Sequence, residues 1–160
     1  MSKTLYLVAS VPTQFVAPCP AEELYVSHWF TMAKAYVSAF SKEGDSWVIL
    51  SAKYGVIEPT RHLKPYEEKT ISRSRQKQQS WTRANIAELL DRTEPGDTVV
   101  LLAGQKYRES LIAPLQQEGR SVEIPMGDLK LSQQKAWMRK KLEEAGVSLS
   151  AADESAGEQA

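Results

Sequence analysis

Apolar residues fall along this chain in short blocks separated by longer, helix-compatible stretches. Thr4 to Ser10, rich in Leu and Val, reads as a first strand. Ser46-Trp47-Val48-Ile49-Leu50-Ser51, behind Gly44-Asp45, is an almost uninterrupted apolar run, the pattern of a strand covered on both faces. Asp97 to Ala103 follows the turn Glu94-Pro95-Gly96 as a third strand, and Ser121 to Pro125 is a short fourth. Between them the period changes. Cys19-Pro20-Ala21-Glu22-Glu23 opens a helix, since proline is tolerated in a first turn and carboxylates are favoured at the positive end of the dipole. That helix is expected to run to Phe40 with Leu24, Phe30, Ala33, Val37 and Phe40 inward and Tyr25 and Trp29 at its edge. A polar helix from Ser74 to Arg92, another from Gly104 to Gln117 stopped at Gly119, and a last from Leu131 to Ala145 ending at Gly146 complete the series.

Strands alternating with helical crossovers make a mostly parallel sheet. The expected fold is a three-layer α/β/α domain over residues 1–146 with four strands in the order 2-1-3-4, and residues 147–160 form a disordered acidic tail. Two connections are longer than the fold requires: Val11 to Pro18 after the first strand, and the segment through Pro59, Pro65 and Tyr66 after the second. Both leave the carboxyl ends of their strands, where ligands bind in open parallel sheets.

Composition narrows the class. With 160 residues, a hydrophobic fraction of 42% and four Trp, the chain holds enough apolar surface for one folded core. No apolar run is long enough to span a bilayer and the first residues carry no leader pattern, so a cytoplasmic, monomeric protein without membrane association is expected. One cysteine, Cys19, and two histidines, His28 and His62, make neither a disulfide nor a zinc set, so no metal or other cofactor is expected.

The formal charge of zero is unevenly spread. Five acids and no base follow Lys141, which leaves twenty bases against fifteen acids before it. From Arg61 to Arg83 seven bases, among them Lys64, Arg73, Arg75 and Lys77, face two acids. Such a stretch suits the backbone of DNA; the plain alternative is a solvated basic helix face.

Chemistry-bearing residues gather near the strand ends. No glycine-rich dinucleotide fingerprint, Walker loop or nucleophile elbow occurs. What remains is Ser10 and Gln14 after the first strand; Ser51, Lys53, Tyr54 and Gly55 after the second, with Tyr66 further on; and Gly104, Gln105, Tyr107 and Arg108 after the third. Lysine, arginine and a helix N-terminus bind phosphate, tyrosine stacks on a base, and glycine lets a backbone approach a ligand, although a plain turn accounts for Gly55 equally well. Glu23, with Glu22 second, is the candidate acid at the cleft; stabilisation of a helix dipole is the bland reading of both.

Pro20-Ala21-Glu22-Glu23-Leu24-Tyr25-Val26-Ser27 with Phe30, Trp47 to Gly55 with Pro59 and Pro65-Tyr66, Leu102-Ala103-Gly104 with Tyr107-Arg108, and Gln134 with Trp137 together resemble a prokaryotic and phage domain family whose best-marked string is ILSAKYG. The resemblance covers residues 4–140. That family looks related to the uracil-DNA-glycosylase-like superfamily, which implies a domain that flips and excises a base. Relatives acting in antiphage defence imply a bulky substrate such as glucosylated hydroxymethylcytosine of phage DNA. The sequence departs from the usual glycosylase pattern: no acid precedes Glu22 in the first loop and no His follows Pro125.

Breaking an N-glycosidic bond builds positive charge on the sugar and negative charge on the departing base. The expectation is therefore a monofunctional DNA glycosylase with Glu23 or Glu22 near the sugar and strand-end donors near the base. The alternative is a non-catalytic nucleotide or modified-nucleic-acid binding module using the same cleft. A metal-dependent nuclease needs clustered acids that the strand ends lack.

Overall fold

The computed structural model describes residues 2–67 and 74–147. The first strand, β1 (Thr4–Ala9), pairs in parallel with β3 (Ser46–Ser51) on one side and with β6 (Thr98–Leu102) on the other. β7 (Ser121–Glu123) lies parallel beyond β6, and β4 (Gly55–Ile57) lies antiparallel outside β3. The sheet order is thus β4-β3-β1-β6-β7, five strands rather than the four expected. The extra strand arises because Ala52-Lys53-Tyr54 closes a tight hairpin with Ser51 opposite Gly55. Sequence periodicity could not show it, since three residues are too few to alternate visibly.

Both faces of the sheet are covered, and the pleat sorts the side chains. Tyr6, Val8, Ile49, Val100 and Leu102 join one buried cluster with α2 (His28–Phe40) and α5 (Leu131–Glu144). Leu5, Leu7, Val48, Leu50, Val99 and Leu101 join the other with α3 (Arg75–Asp91) and α4 (Gln105–Gln117). Alternation along strands buried on both sides explains why these runs read as continuously apolar. No helix among the described residues is long and apolar enough to cross a membrane.

The long first helix expected from Cys19 to Phe40 is three elements instead. A two-residue strand, β2 (Cys19–Pro20), pairs antiparallel with β5 (His62–Leu63), and α1 (Ala21–Leu24) ends at Tyr25 before α2 begins. Two contacts impose the break. Ser27 caps α2 by accepting the Phe30 N–H at 3.0 Å, and Gln14 bridges to Tyr25. Tyr25 and Trp29, expected at an edge, are buried. Residues 148–160, most of the expected tail, lie outside the described residues.

At the amino ends of the strands, buried Asp97 accepts the backbone N–H groups of Lys3 and Glu94, each at 2.9 Å. These bonds hold its carboxyl below the ordinary aspartate range, burial opposing and the charges of Lys3 and Arg120 adding to the effect. The unfolded state therefore takes up a proton more readily than the folded one, so this stabilisation is present above the ordinary aspartate pKa of about 3.9 and is lost as pH falls through the lower folded value. Urea unfolding from neutral to acid pH should show Asp97→Asn destabilised at neutrality, with the gap to wild type closing in acid; a gap independent of pH would contradict this account.

Gly55 holds φ at +70°, and a Cβ there would overlap Oδ1 of Asn85, a buried side chain whose amide donates to the Trp81 carbonyl at 2.8 Å. Gly55→Ala combines left-handed strain with that overlap. It is expected to cost about 2 kcal/mol or more, measured as a lowered denaturant midpoint; an unchanged midpoint would refute the close approach.

Candidate functional site

The carboxyl ends of β1, β3 and β6 deliver Ser10, Ser51 and Gly104 to one edge of the sheet. Ser51 organises the segment after it. Its Oγ accepts the N–H groups of Lys53 at 3.1 Å and Tyr54 at 3.2 Å and shares a 3.1 Å hydrogen bond with the Tyr66 hydroxyl. Tyr66 in turn shares a 2.5 Å hydrogen bond with Tyr25, and its backbone N–H donates to Gln14 Oε1 at 2.9 Å. Four segments distant in sequence are therefore tied together by side chains.

Tyr54 stands at the rim, 36% exposed, edge-on to Tyr66 with ring centroids 4.8 Å apart. The Lys53 ammonium lies 5.2 Å from the Tyr54 ring centre and 5.4 Å from that of Tyr66, and the Arg61 guanidinium lies 5.4 Å from the Tyr54 ring centre. An aromatic face and two cations thus share one surface. Ser10, whose N–H donates to the Leu50 carbonyl, and half-buried Gln14 carry a hydroxyl and an Nε2 amide that have no hydrogen-bond partner among the described residues. Buried polar atoms are seldom left so.

The third strand end is built differently. The Trp81 indole donates to the Ser51 carbonyl at 3.3 Å and meets Tyr107 edge-on at 6.4 Å, so α3 and α4 close against the site through an aromatic pair. Gly104 is the exposed N-cap of α4, with Gln105 exposed behind it. Arg108 is committed elsewhere: its guanidinium donates to the Gly127 carbonyl at 2.8 Å and lies 4.0 Å from Asp128. Arg108 therefore serves the turn before α5 rather than supplying an unengaged donor. Gly55 fills a hairpin and helix-packing role, the turn reading that stood beside ligand approach.

Glu22 and Glu23 lie on α1, bonded through its backbone to the segment that carries Arg61. They line a separate hollow of ≈ 410 Å³ with Lys34, Ser41 and Trp47. Trp47 precedes Ser51 by four residues along β3, a rise of about 13 Å, and Ser41 caps the far end of α2. The position of α1 follows from the broken helix. The Ala21 and Glu22 N–H groups donate to the Arg61 and Pro59 carbonyls, pinning α1 beside the connection that follows β4. Burial and the Glu23 carboxylate together raise the Cys19 thiol, opposing any role for it as a thiolate.

Lys64, Arg75 and Lys77 are exposed, while Arg73 lies outside the described residues. Sequence reasoning missed Tyr25 as a site member. Its only signal was a tyrosine among apolar positions, whose hydroxyl must find a partner once buried. His28, buried at the start of α2 with Nε2 unpartnered, gave no sequence signal beyond its identity.

The fold is that of an α/β protein with an aromatic and cationic surface at the carboxyl ends of a mostly parallel sheet. The chain belongs to a family of unknown function, DUF6884, whose profile matches residues 5–140. No match is found among the curated proteins.

Tyr66→Phe removes the hydroxyl shared by Tyr25 and Ser51 while keeping the ring. A loss of about 1–2 kcal/mol is expected in chemical denaturation. Adding Ser51→Ala, which also strips the Lys53 and Tyr54 N–H groups of their acceptor, should cost more, but less than the sum of the two single losses; fully additive losses would mean that the hydroxyls act independently.

Proposed function

We propose that this chain binds a nucleotide of DNA at the carboxyl ends of its strands, as a nucleic-acid-binding module. The observation that carries the reading is the Tyr54 and Tyr66 pair flanked by Lys53 and Arg61, because a stacking face beside two cations answers both halves of a nucleotide. Ser10 and Gln14 add buried polar groups suited to a base edge. The net positive charge of the chain before its acidic end attracts the polyanion.

Base excision is the second reading. The resemblance of the ILSAKYG-marked motifs to the glycosylase-like superfamily favours it, as do the unpartnered Ser10 and Gln14 groups, which would steady negative charge on a departing base. Against it stands the separate hollow that holds Glu22 and Glu23. Excision through Glu23 or Glu22 needs the sugar to be seated toward that hollow, and a hypermodified cytosine is the substrate that the resemblance implies.

Binding of short DNA strands, unmodified or carrying glucosylated hydroxymethylcytosine, tests both readings when fluorescence anisotropy is combined with mass analysis of released bases. The expected outcome is binding without base release, weakened roughly tenfold or more in Tyr54→Ala, the scale of one base stack. Base release by the wild type, unchanged in Glu23→Gln, would replace the binding reading with excision by another group. Failure to bind any strand would reject both.

A further inference from the structure

Next to the Trp81 and Tyr107 pair, α3 and α4 together line a groove of ≈ 490 Å³. Arg75, Gln78, Gln79 and Arg83 line it from α3, and Ser110 lines it from α4. Thr82 Oγ1 donates to Ser110 Oγ at 2.7 Å across the helix pair, one residue beyond Trp81 on one helix and three beyond Tyr107 on the other. Ile86 and Pro114 provide its apolar lining. No carboxylate lines the groove among the described residues. It therefore offers cations, amides and a small apolar surface on the sheet face opposite α2 and α5.

We infer that this groove carries the single DNA strand continuing from the nucleotide seated at the strand ends, with phosphates held by Arg75 and Arg83. The inference rests on the nucleotide-binding reading and specifies the form of its ligand. Three observations lead there. Arg75 and Arg83 are eight residues apart on one helix, a rise of about 12 Å, so they address separate points along an extended anion rather than one small ion. Gln78 and Gln79 lie between them and can donate or accept at sugars and bases. Both arginines and both amides lie along one surface groove of ≈ 490 Å³, a volume on the scale of a single strand rather than a duplex. Trp81, whose indole meets the Ser51 carbonyl, immediately precedes groove-lining Thr82, so the groove begins beside the strand-end site.

The basic stretch read from the sequence is thereby divided. Arg61 belongs to the Tyr54 surface, whereas Arg75 and Arg83 belong to the groove. Charge alone would not distinguish these roles, but strand length does.

The test uses the full chain, with a thymidine mononucleotide competitor and fluorescein-labelled oligothymidylates of increasing length as probes. Wild-type affinity should rise with length until the groove is filled and exceed that for the matching duplex. In Arg75→Ala/Arg83→Ala, oligonucleotide affinity should fall about tenfold at low salt, and the slope of log affinity against log salt should shrink by about 1.4, the share of two single-strand phosphates. Mononucleotide binding should stay unchanged. Arg139→Ala/Lys140→Ala on α5 removes the same charge from the opposite face and should leave oligonucleotide binding near wild type. Equal losses in both double variants, or an unchanged salt slope in the first, would overturn the groove. Mononucleotide binding unchanged in Tyr54→Ala, with the oligonucleotide losses of Arg75→Ala/Arg83→Ala as expected, would keep the groove and overturn the strand-end reading. Equal affinity for mononucleotide and oligonucleotide would overturn the groove alone.

Discussion

Parallel pairing of β1 between β3 and β6 is the constraint from which the remaining architecture follows. Leu7 and Val8 of β1 point to opposite faces and both are fully buried, so each face must be covered by helices. Parallel neighbours cannot be joined by tight turns, so the chain crosses over through α2 to reach β3 and through α3 to reach β6. The segments leaving β1 and β3 consequently emerge at the same edge. The site lies there because of this connectivity, and its residues need no proximity in sequence.

What makes that edge a defined surface is a chain of hydrogen bonds between otherwise mobile segments. Ser51 accepts from the hairpin backbone, Tyr66 joins Ser51 to Tyr25, and Gln14 accepts from the Tyr66 backbone. Each bond contributes modestly on its own, but a buried hydroxyl left without a partner costs more than the bond contributes. The network thus favours one arrangement of the loops over many. It also accounts for the serine and glycine of the ILSAKYG string in physical terms: one takes the hairpin N–H groups and the other adopts positive φ against Asn85.

Electrostatics has a different organisation from the one that linear charge suggests. Arg61 packs its cation against Tyr54, while Arg92 pairs with Glu58 and Glu88 and fastens α3 to the segment after β4. Arg120 is buried, donating to Thr93 and to the Leu90 and Glu118 carbonyls. Some bases are therefore structural ties, and others remain on surfaces available to an anion. A count of charges along the chain does not separate these uses, because the separation depends on which carbonyl or carboxylate each long side chain meets.

The sequence by itself determined the alternation of strands and helices, since strands covered on both faces must be apolar throughout and helices must carry a helical period. It located Ser10, Gln14, Ser51, Lys53, Tyr54 and Tyr66 as residues near strand ends, and the structure draws those six into one neighbourhood. It did not reveal β4, whose three residues are fewer than a pattern needs, or the break at Tyr25, where helix-compatible residues yield to a buried tyrosine pair and a serine cap. Nor did it place Glu22 and Glu23 in a hollow with Lys34 and Trp47, because the position of α1 depends on backbone bonds to Pro59 and Arg61, nearly forty residues away. Local periodicity records what each segment must bury. Only the tertiary structure decides which buried segments meet, because those contacts join parts of the chain that local patterns do not compare.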